Sequence, residues 1–516
     1  MATVGVEALL GALQRHWGSR EFRPLQREII EAVLARQDVA VVMPTGGGKS
    51  LCYQMPVLFL PGTAVVVSPL IALMKDQVDR LNLNGIRAAA LNSATSYPDQ
   101  RRAMREAGEG SLRLLYIAPE RLLREDTIEL LKQTPVCYYA IDEAHCISEW
   151  GHEFRPDYRR LSELRQWHPE ASIIALTASA TQRVRHDILR QLALRDPAKF
   201  IRSFERNNLR YMALKTDERG QWRLLEAALE AHAGESVIVY ASTIALVEHS
   251  VERLNQRSIG AVAYHGEMPA EGRRSAQDRW MAGSPSVLVA TIAFGMGIDK
   301  PDVRAVIHLS LPKSLEQYYQ EAGRAGRDGR PSDCLLLWQP RDIGVIVFFL
   351  KQIDDVEERR RAWRRYNDIR QYAESALCRH VAICRHFGEP AASRICGMCD
   401  VCGPLPGWYE WARAPEAASG QTPHRIRRQA APGPKRRLEA ARAPEPGALF
   451  EKLRAWRLAV ARRQGWPPYC VFHDSVLRSI ASHCPADLAA LSAIPGLGPG
   501  KLEKYGAEVL KVLQPE

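Results

Sequence analysis

The feature that most constrains the fold is a long alternation between short apolar runs and segments of helical periodicity, which continues to about residue 340. The runs are rich in β-branched residues, as expected for buried strands, and the alternation predicts parallel sheets covered by helices. Because it is too long for one domain, we predict two α/β domains in tandem, divided near the polar stretch Phe204–Gly220. The predicted strands are Val39–Met43, Ala64–Val67, Leu114–Ile117, Tyr138–Ile141, Ile173–Leu176, Val237–Tyr240, Val262–Tyr264, Val287–Ala290, Val306–Leu309 and Leu335–Trp338.

The strand signal stops at Asp342, and the rest of the chain has a different organisation. Apolar residues recur at helical spacing from Trp363 to Cys384, which predicts a long amphipathic helix or a helix pair. A segment rich in Ala, Pro and Arg follows and is typical of a disordered basic linker, and helical periodicity then returns. We therefore predict two α/β domains, a helical module with cysteines, a linker and a small all-α domain. These five parts are residues 1–205, 206–341, 342–404, 405–447 and 448–516.

The 516-residue chain is basic, with a formal net charge of +11 and a sequence pI of about 9.1. This excess favours a polyanionic partner, with nucleic acid the leading candidate, although a merely soluble basic protein has the same balance. No stretch approaches the ~20 apolar residues of a membrane span, and the N-terminus lacks a signal pattern, so we expect a cytoplasmic protein without a membrane partner. Eleven cysteines in such a chain indicate thiols or metal ligands.

A glycine-rich loop, "VVMPTGGGKSLCYQ", joins the first predicted strand to a helix that starts at Lys49. Glycines allow backbone N–H groups to turn toward a polyphosphate, and the helix N-terminus adds partial positive charge. Lys49 would then reach the β- and γ-phosphates, and the Ser50 hydroxyl would bind Mg²⁺. Met43 stands where the general phosphate-loop pattern has its first glycine, so an ordinary glycine-rich turn is the alternative. The loop glycines are Gly46, Gly47 and Gly48.

Candidate catalytic residues follow at two further places. An apolar strand ends in Asp142 and Glu143; Asp142 would hold Mg²⁺ through water, and Glu143 would polarise the attacking water. Arg324 and Arg327 share one helical face, and their guanidinium groups suit the charge that develops on a γ-phosphate. A solvated turn and a basic surface helix are the respective alternatives. If the second α/β domain docks on the first, the two domains complete one site, and hydrolysis moves them relative to each other.

Cys396, Cys399 and Cys402 form a C-x₂-C-x₂-C pattern, which is typical of thiolate metal ligands. A closed tetrahedral zinc site needs a fourth ligand, and both Cys378 and Cys384 are candidates. Cys384 shares a helical face with apolar residues, which favours core packing for it. An iron–sulfur cluster is the alternative to a structural zinc ion.

Together these motifs resemble the RecQ family of DNA helicases in superfamily two, over about residues 10–404 and again over the last seventy residues or so. The resemblance implies two tandem parallel-sheet RecA-like domains, a helical zinc-binding module and a small all-α domain similar to HRDC domains. It also implies that Cys378 is the fourth zinc ligand, because this residue stands in register with the family's zinc motif.

The resemblance implies nucleotide-binding roles for further residues. The segment "EFRPLQREII" resembles the family's adenine-reading motif, with Arg23 and Gln26 on the base. Thr45 belongs to the phosphate motif "TGGGKS". The segment "ATIAFGMGIDKPDVRAVIH", which contains Asp299, resembles an ATP and DNA motif of the second domain, and Gln320 belongs to the arginine motif of the same domain.

The segment Cys146–Tyr158, "CISEWGHEFRPDY", resembles the aromatic-rich loop of RecQ proteins, and we use that name for it. Trp150 and Phe154 offer π-faces to unstacked bases, and Arg155 offers charge to phosphate. Core packing of the two rings is the alternative, but the charged residues between them are poor composition for a core. Because few residues separate the loop from Glu143, a loop that senses DNA would reposition the catalytic glutamate.

The resemblance implies an ATP-dependent 3′→5′ DNA helicase, in which hydrolysis stimulated by single-stranded DNA drives translocation and strand separation in repair or recombination. The expected cofactors are ATP, Mg²⁺ and Zn²⁺. The expected partner is single-stranded, branched or tailed DNA, and we expect a monomer, associated with the nucleoid if bacterial. Alternatives are a DNA-dependent translocase or remodeller that unwinds poorly, a non-catalytic DNA-binding scaffold, and an RNA helicase.

Two regions bear on how DNA is engaged. No segment large enough for a winged helix lies between Cys402 and the HRDC-like region, which leaves the strand-separating element unassigned. In that region "IPGLGPGKLEKYG" places a Gly/Pro turn before Lys501, where backbone N–H groups could meet a phosphate, although such turns also serve helix packing.

Overall fold

The computed structural model describes residues 4–151, 153–292, 294, 300–390, 393–413, 446–464, 471–472, 474–494, 497 and 499–513. The chain forms two compact units, Met1–Pro415 and Glu416–Glu516, and each is described by itself. Within the described residues, no helix combines the length and apolar character needed to cross a membrane.

The first part of the larger unit is built on a seven-stranded parallel sheet with the strand order β3-β4-β2-β5-β6-β1-β7. All five strands predicted for this region are confirmed. The sequence missed β3 and β7, whose burial is incomplete: two of the four β3 residues are only partly buried, and none of the four β7 residues is fully buried. The strands are β1 Val39–Val42, β2 Thr63–Val67, β3 Ala88–Leu91, β4 Leu114–Ile117, β5 Val136–Ile141, β6 Ser172–Thr177 and β7 Ala198–Ile201.

Helices pack around this sheet, whose central strands are fully buried, as their unbroken apolar runs require. The α-helices are α1 Val6–Trp17, α2 Gln26–Leu34, α3 Lys49–Gln54, α4 Ile71–Leu83, α5 Tyr97–Gly108, α6 Pro119–Leu122, α7 Glu125–Gln133, α8 Leu164–Trp167 and α9 Gln182–Gln191. Short 3₁₀ helices cover Pro56–Leu58, Ala144–Ile147 and Pro156–Glu163.

The second part of the larger unit is a six-stranded parallel sheet with the order β10-β11-β9-β12-β13-β8. The predicted dividing stretch Phe204–Gly220 contains the connection between the two sheets and also a strand of its own, because Leu209–Lys215 forms β8 and pairs with β13 along its whole length. Leu209, Tyr211 and Met212 are buried there. The strands are β8 Leu209–Lys215, β9 Ser236–Tyr240, β10 Ala261–Tyr264, β11 Val287–Ala290, β12 Val303–His308 and β13 Ser332–Trp338.

After the second sheet the regular structure of the described residues is helical, and the predicted helix pair is present as Val356–Glu374 and Arg379–His386. The start of the predicted linker 405–447 is wrong, because α17 lies within it and buries Tyr409 and Ala412 in the core of the second sheet. Residues 414–445 lie outside the described residues. The helices are α10 Glu218–Ala231, α11 Ile244–Gln256, α12 Ala270–Met281, α13 Leu315–Ala322, α14 Asp342–Lys351, α15 Val356–Glu374, α16 Arg379–His386 and α17 Gly407–Arg413.

The smaller unit is helical throughout its described residues. Leu453, Leu477, Ile480 and Val509 are fully buried at the centre of its core. Lys501 contributes to packing, since its ammonium group lies 5.4 Å from the centroid of a phenylalanine ring in the same unit. The helices are α18 Pro446–Gln464, α19 Asp474–His483, α20 Leu488–Ser492 and α21 Pro499–Leu513.

Candidate active site

The phosphate loop lies between β1 and α3, with Lys49 and Ser50 in the first turn of the helix. Gly46 and Gly48 have left-handed φ angles of 80° and 82°, which a glycine adopts without strain. The loop is closely packed, because the Gly47 N–H donates to a proline carbonyl 3.0 Å away within the loop. The Lys49 ammonium group donates to the Met43 carbonyl over 3.1 Å, and burial lowers the pKa of Lys49.

Arg23 and Gln26, the predicted adenine-reading residues, contact the phosphate loop. The Gln26 amide donates to the Gly48 carbonyl over 3.0 Å, and the Arg23 guanidinium donates to the Gly46 carbonyl. A Cβ atom at Gly48 would stand 2.3 Å from the Gln26 side-chain nitrogen, so this close approach requires glycine. The motif before α2 and the phosphate loop therefore form one continuous surface.

Asp142 and Glu143 lie at the carboxyl end of β5. Asp142 is buried; it accepts hydrogen bonds from the Ser68 hydroxyl at 3.3 Å and from the Glu143 N–H at 3.0 Å. Burial, together with the negative charge of Glu143, raises the pKa of Asp142 to about 6. Glu143 has φ and ψ of 45°, a left-handed conformation that non-glycine residues adopt at a cost. Such strain is common where a side chain must be aimed at a reaction site.

The second α/β part contributes three predicted residues to the same region, Gln320 on α13 and Arg324 and Arg327 in the turn that follows it. A Cβ atom at Gly46 would stand 3.1 Å from Cγ of Arg327, which places this arginine against the phosphate loop. The Gln320 amide donates to the Ser179 hydroxyl of the first part over 2.8 Å. Arg324 is buried. The predicted meeting of the two α/β parts at the phosphate loop is therefore confirmed. Asp299, another predicted nucleotide-binding residue, lies outside the described residues.

The sequence interpretation missed Arg206, which lies in the segment between the two sheets. Its guanidinium group donates to the Thr45 carbonyl of the phosphate loop at 3.4 Å and to the Gly326 carbonyl beside Arg327 at 3.2 Å. It therefore bridges the two halves of the site. A single arginine in a polar connecting segment carries no motif, so the sequence offered no signal for it.

The rings of the aromatic-rich loop, Trp150 and Phe154, are half-buried. The Arg183 guanidinium lies over Trp150, with its Cζ atom 3.0 Å from the ring centroid, and Arg159 lies over Phe154 at 5.1 Å. The Arg155 N–H donates to the carbonyl at the start of the loop, 2.9 Å away. Both predicted rings thus face cations.

His145 connects this loop with the catalytic carboxylate. Its Nδ1 atom lies 3.2 Å from a Glu143 carboxylate oxygen and 2.9 Å from the Thr177 hydroxyl. Its Nε2 atom lies 4.0 Å from Glu153 of the loop. A displacement of the loop therefore has a short physical path to Glu143.

The four predicted cysteine ligands form one cluster, with all four sulfur atoms within 4.8 Å of one another. The individual distances are 3.4 Å from Cys399 to Cys402, 3.5 Å from Cys396 to Cys402, and 4.0 Å from Cys399 to Cys378. Four thiolates around zinc at ~2.3 Å stand about 3.8 Å apart, so the set fits a tetrahedral zinc ion. Cys384 is buried outside the cluster, where burial raises its pKa to about 12.

A buried ion pair ties the cysteine cluster to the second sheet. Arg379 donates to both carboxylate oxygens of Asp400, at 2.8 and 3.0 Å, and the side chains are 5% and 8% exposed. The same carboxylate accepts a hydrogen bond from the Ala213 N–H of β8 over 2.9 Å. The backbone N–H of Arg379 also donates to the Cys399 sulfur. The cluster therefore depends on this pair for its position.

Replacing Asp400 by alanine is expected to destabilise the larger unit by about 3–5 kcal/mol, because it leaves the Arg379 guanidinium buried without its counter-charge. Urea unfolding followed by tryptophan fluorescence measures the change. Glu374→Ala is the matched control; it breaks a more exposed ion pair with Arg370 and is expected to cost less than about 1 kcal/mol. Equal losses in the two variants would contradict the anchoring role.

Comparison with protein-family models identifies four segments of the chain. The matched models are the DEAD/DEAH box helicase (23–188), the helicase conserved C-terminal domain (220–329), RecQ zinc-binding (340–403) and the HRDC domain (447–513).

Among curated proteins, the chain is 34% identical over 579 residues to the ATP-dependent DNA helicase RecQ of Bacillus subtilis, covering 97% of this chain and 98% of that protein. The chain belongs to the RecQ family. It is also 42% identical to the Haemophilus influenzae ATP-dependent DNA helicase RecQ, over 78% of this chain but only 64% of that relative. The segment that matches the RecQ zinc-binding model therefore contains all four cysteines of the cluster.

Comparison of structures supports the same fold. S. cerevisiae Dbp5 bound to RNA and ADP BeF3 superposes with a TM-score of 0.52 at 15% identity, over 70% of this chain and 98% of that one. At that identity the likeness concerns the fold alone. It confirms the two tandem RecA-like parallel-sheet domains that the motifs imply for this RecQ-family chain.

Proposed function

We propose that this chain is an ATP-dependent DNA helicase that moves 3′→5′ along single-stranded DNA and separates strands in repair or recombination. The main support is the contact between Arg327 and the phosphate loop, because it brings a cation of the second sheet to the phosphate site of the first. A nucleotide bound there would be held by both domains. Its cleavage would then change how the domains hold each other.

In the proposed reaction, Lys49 and the loop N–H groups bind the β- and γ-phosphates of ATP. Glu143 accepts a hydrogen bond from the attacking water and takes its proton, while Arg324 and Arg327 stabilise the charge on the transferred phosphoryl group. The oxygen ligands of Ser50 and Asp142 are those that Mg²⁺ prefers; they would hold the ion, which when bound offsets phosphate charge.

The proposed coupling runs through contacts between the two parts. After the cleaved phosphate leaves, less negative charge remains to attract Arg327. The Gln320–Ser179 hydrogen bond joins the two parts, so a shift of the second part also changes this contact. On the DNA side, bases stack on Trp150 and Phe154. A movement of the aromatic-rich loop reaches Glu143 through His145, which explains stimulation of hydrolysis by DNA.

The remaining assignments belong to the same proposal. Arg23 and Gln26 bind the adenine base, Arg155 binds phosphate, and the four-cysteine cluster holds a structural zinc ion. The five-part domain division stays a prediction, with α17 joined to the second domain. We propose single-stranded, branched or tailed DNA as the substrate, a monomer as the working form and, in a bacterium, a location at the nucleoid.

The test uses the full chain. ATP hydrolysis is measured without nucleic acid and with single-stranded DNA or RNA of matched length, and unwinding is measured on forked duplexes and on duplexes with a 3′ or a 5′ tail. We expect stimulation by DNA in preference to RNA, and unwinding from the 3′ tail. Glu143→Gln is the matched inactive control, with an expected loss of about 10²–10⁴-fold in hydrolysis. Equal stimulation by RNA, or unwinding from the 5′ tail alone, would contradict the proposal.

A translocase that unwinds poorly is the second candidate, and one observation favours it. Only residues 403–445 separate the cysteine module from α18, and Gly407–Arg413 of these pack on the second sheet, so no winged-helix-sized segment remains between them. Such a protein would displace streptavidin from biotinylated single-stranded DNA at the expense of ATP without opening a tailed duplex. Efficient opening of the duplex would exclude this candidate.

A further inference from the structure

Helix α15 carries a cluster of arginines that the proposed reaction does not use, and two of them contact the aromatic-rich loop. An Arg361 Nη atom lies 3.3 Å from the Glu149 carboxylate, and Arg365 donates to the Gly151 carbonyl over 3.3 Å. The Arg361 side chain is only 13% exposed and Arg365 only 16%. The zinc-module helix and the loop are therefore in direct contact.

Glu149 lies between cations from two different elements. Its carboxylate pairs with Arg159 at the far end of the loop region and with Arg361 of α15. On α15 itself, Glu358 pairs with Arg361 at 3.0 Å and with Arg365 at 2.6 Å. Arg361 thus contacts two carboxylates, one from the loop and one from α15, while Arg365 contacts only that of Glu358. The planar guanidinium group offers several N–H donors that suit an oxyanion.

Trp150, next to Glu149, is covered by guanidinium groups in this arrangement. The Cζ atoms of Arg183, Arg361 and Arg364 lie 3.0, 5.6 and 6.0 Å from its ring centroid. A base cannot stack on the ring face that Arg183 covers. In this arrangement Trp150 cannot offer that face to DNA.

We propose that Arg361 and Arg365 form a binding site for a DNA backbone phosphate, and that Glu149 occupies the Arg361 side of this site in the DNA-free protein. A phosphate offers the same negative charge and the same pair of acceptor oxygens as the carboxylate. Its exchange for Glu149 frees the loop and lets Trp150 leave Arg183 and stack on a base. This inference rests on the proposed function, since it specifies how that helicase detects its strand.

The energetics allow this exchange. Glu149 is 33% exposed, and an ion pair that retains so much contact with solvent contributes little net stability. A DNA phosphate, in contrast, arrives with release of condensed counterions, which supplies much of the affinity of any basic site for DNA. Binding of a phosphate at this site can also affect hydrolysis. Glu153 of the loop lies 4.0 Å from His145, and His145 contacts the catalytic Glu143.

The decisive experiment compares two full-length variants that break the same ion pair from opposite sides, Glu149→Gln and Arg361→Gln. Anisotropy of a labelled single-stranded oligonucleotide gives the dissociation constant over a salt series, and hydrolysis is measured with and without DNA. Both variants are expected to raise the DNA-independent ATPase rate several-fold, because both free the loop.

Their effects on DNA affinity are expected to be opposite. Glu149→Gln tightens binding several-fold, while Arg361→Gln weakens it and lowers the salt slope by about 0.7, the value for one single-strand phosphate contact.

Arg360→Gln is the matched control, because it removes the same charge from the neighbouring position of α15, where the side chain is 60% exposed and pairs with Glu357. It is expected to leave affinity, salt slope and basal rate unchanged. A shift of affinity in the same direction for Glu149→Gln and Arg361→Gln would overturn the inference, as would equal effects of Arg360→Gln and Arg361→Gln. Failure of the proposed function is separately visible, because the wild-type chain would then show no stimulation by DNA.

Discussion

Replacing Arg327 by alanine is expected to lower kcat for DNA-stimulated ATP hydrolysis by about 10³- to 10⁵-fold. The side chain comes from the turn between α13 and β13 in the second α/β part, and its Cγ atom lies 3.1 Å from the position that a Cβ atom on Gly46 would take. A guanidinium group there acts most strongly when negative charge spreads over the γ-phosphate in the transition state. KM for ATP is therefore expected to change far less than kcat. Steady-state hydrolysis at saturating DNA measures both constants.

Arg330→Ala is the matched control for this variant. It removes the same charge three residues further on, from a side chain that is 79% exposed and pairs with Asp328. Its kcat is expected to stay near the wild-type value. A large rise in KM with unchanged kcat for Arg327→Ala would show that the arginine only binds ground-state ATP. Equal losses in both variants would show a general effect of charge on DNA binding.

Replacing Cys399 by serine is expected to remove the bound zinc and to unfold the helical module around it. This thiol is fully buried and lies at the centre of the cluster, 3.4 Å from the Cys402 sulfur and 4.0 Å from that of Cys378. Structural zinc sites contribute on the order of 10–16 kcal/mol in small domains, so the urea midpoint of the module is expected to fall steeply. Zinc content per chain and urea unfolding are the measurements.

Cys384→Ala is the control, because this buried cysteine lies close by on α16 but outside the cluster. It is expected to retain one zinc ion per chain. Retention of zinc by the Cys399→Ser protein would contradict the four-cysteine site. Iron and visible charge-transfer absorption in the purified wild-type protein would favour the iron–sulfur alternative instead.

Much of the fold could be predicted because its signals are local. Short β-branched apolar runs such as Ala64–Val67 favour buried strands, and all ten predicted strands are present. The weaker elements escaped prediction. β7, Ala198–Ile201, is half exposed. β8 lies in a stretch that is polar overall, and β13 pairs with it while Tyr211 packs against Tyr318 and His380. The short helix Gly407–Arg413 packs against the second sheet, but no clear boundary in the sequence separates it from the basic linker that follows.

The residues of the candidate site also fall into those that a local motif reveals and those that only a long-range contact reveals. Lys49, Asp142 and Glu143 could be found from short motifs, since their roles require particular residue types directly after a buried strand. Arg206 could not be found, because what distinguishes it is a position between the phosphate loop and Gly326, 120 residues away in the sequence. The choice of Cys378 over Cys384 rested on resemblance and on helical spacing, and the cluster geometry agrees with it.

By itself, the sequence determined the parallel α/β class and the residue types that carry the chemistry, because periodicity and motifs are properties of neighbouring residues. Only the tertiary structure decided which of these residues meet. Arg327 reaches Gly46, and Arg361 reaches Glu149 across 212 positions, because two separately formed sheets and a helical module pack against one another. Such contacts depend on the shapes of whole domains, and no local pattern records them.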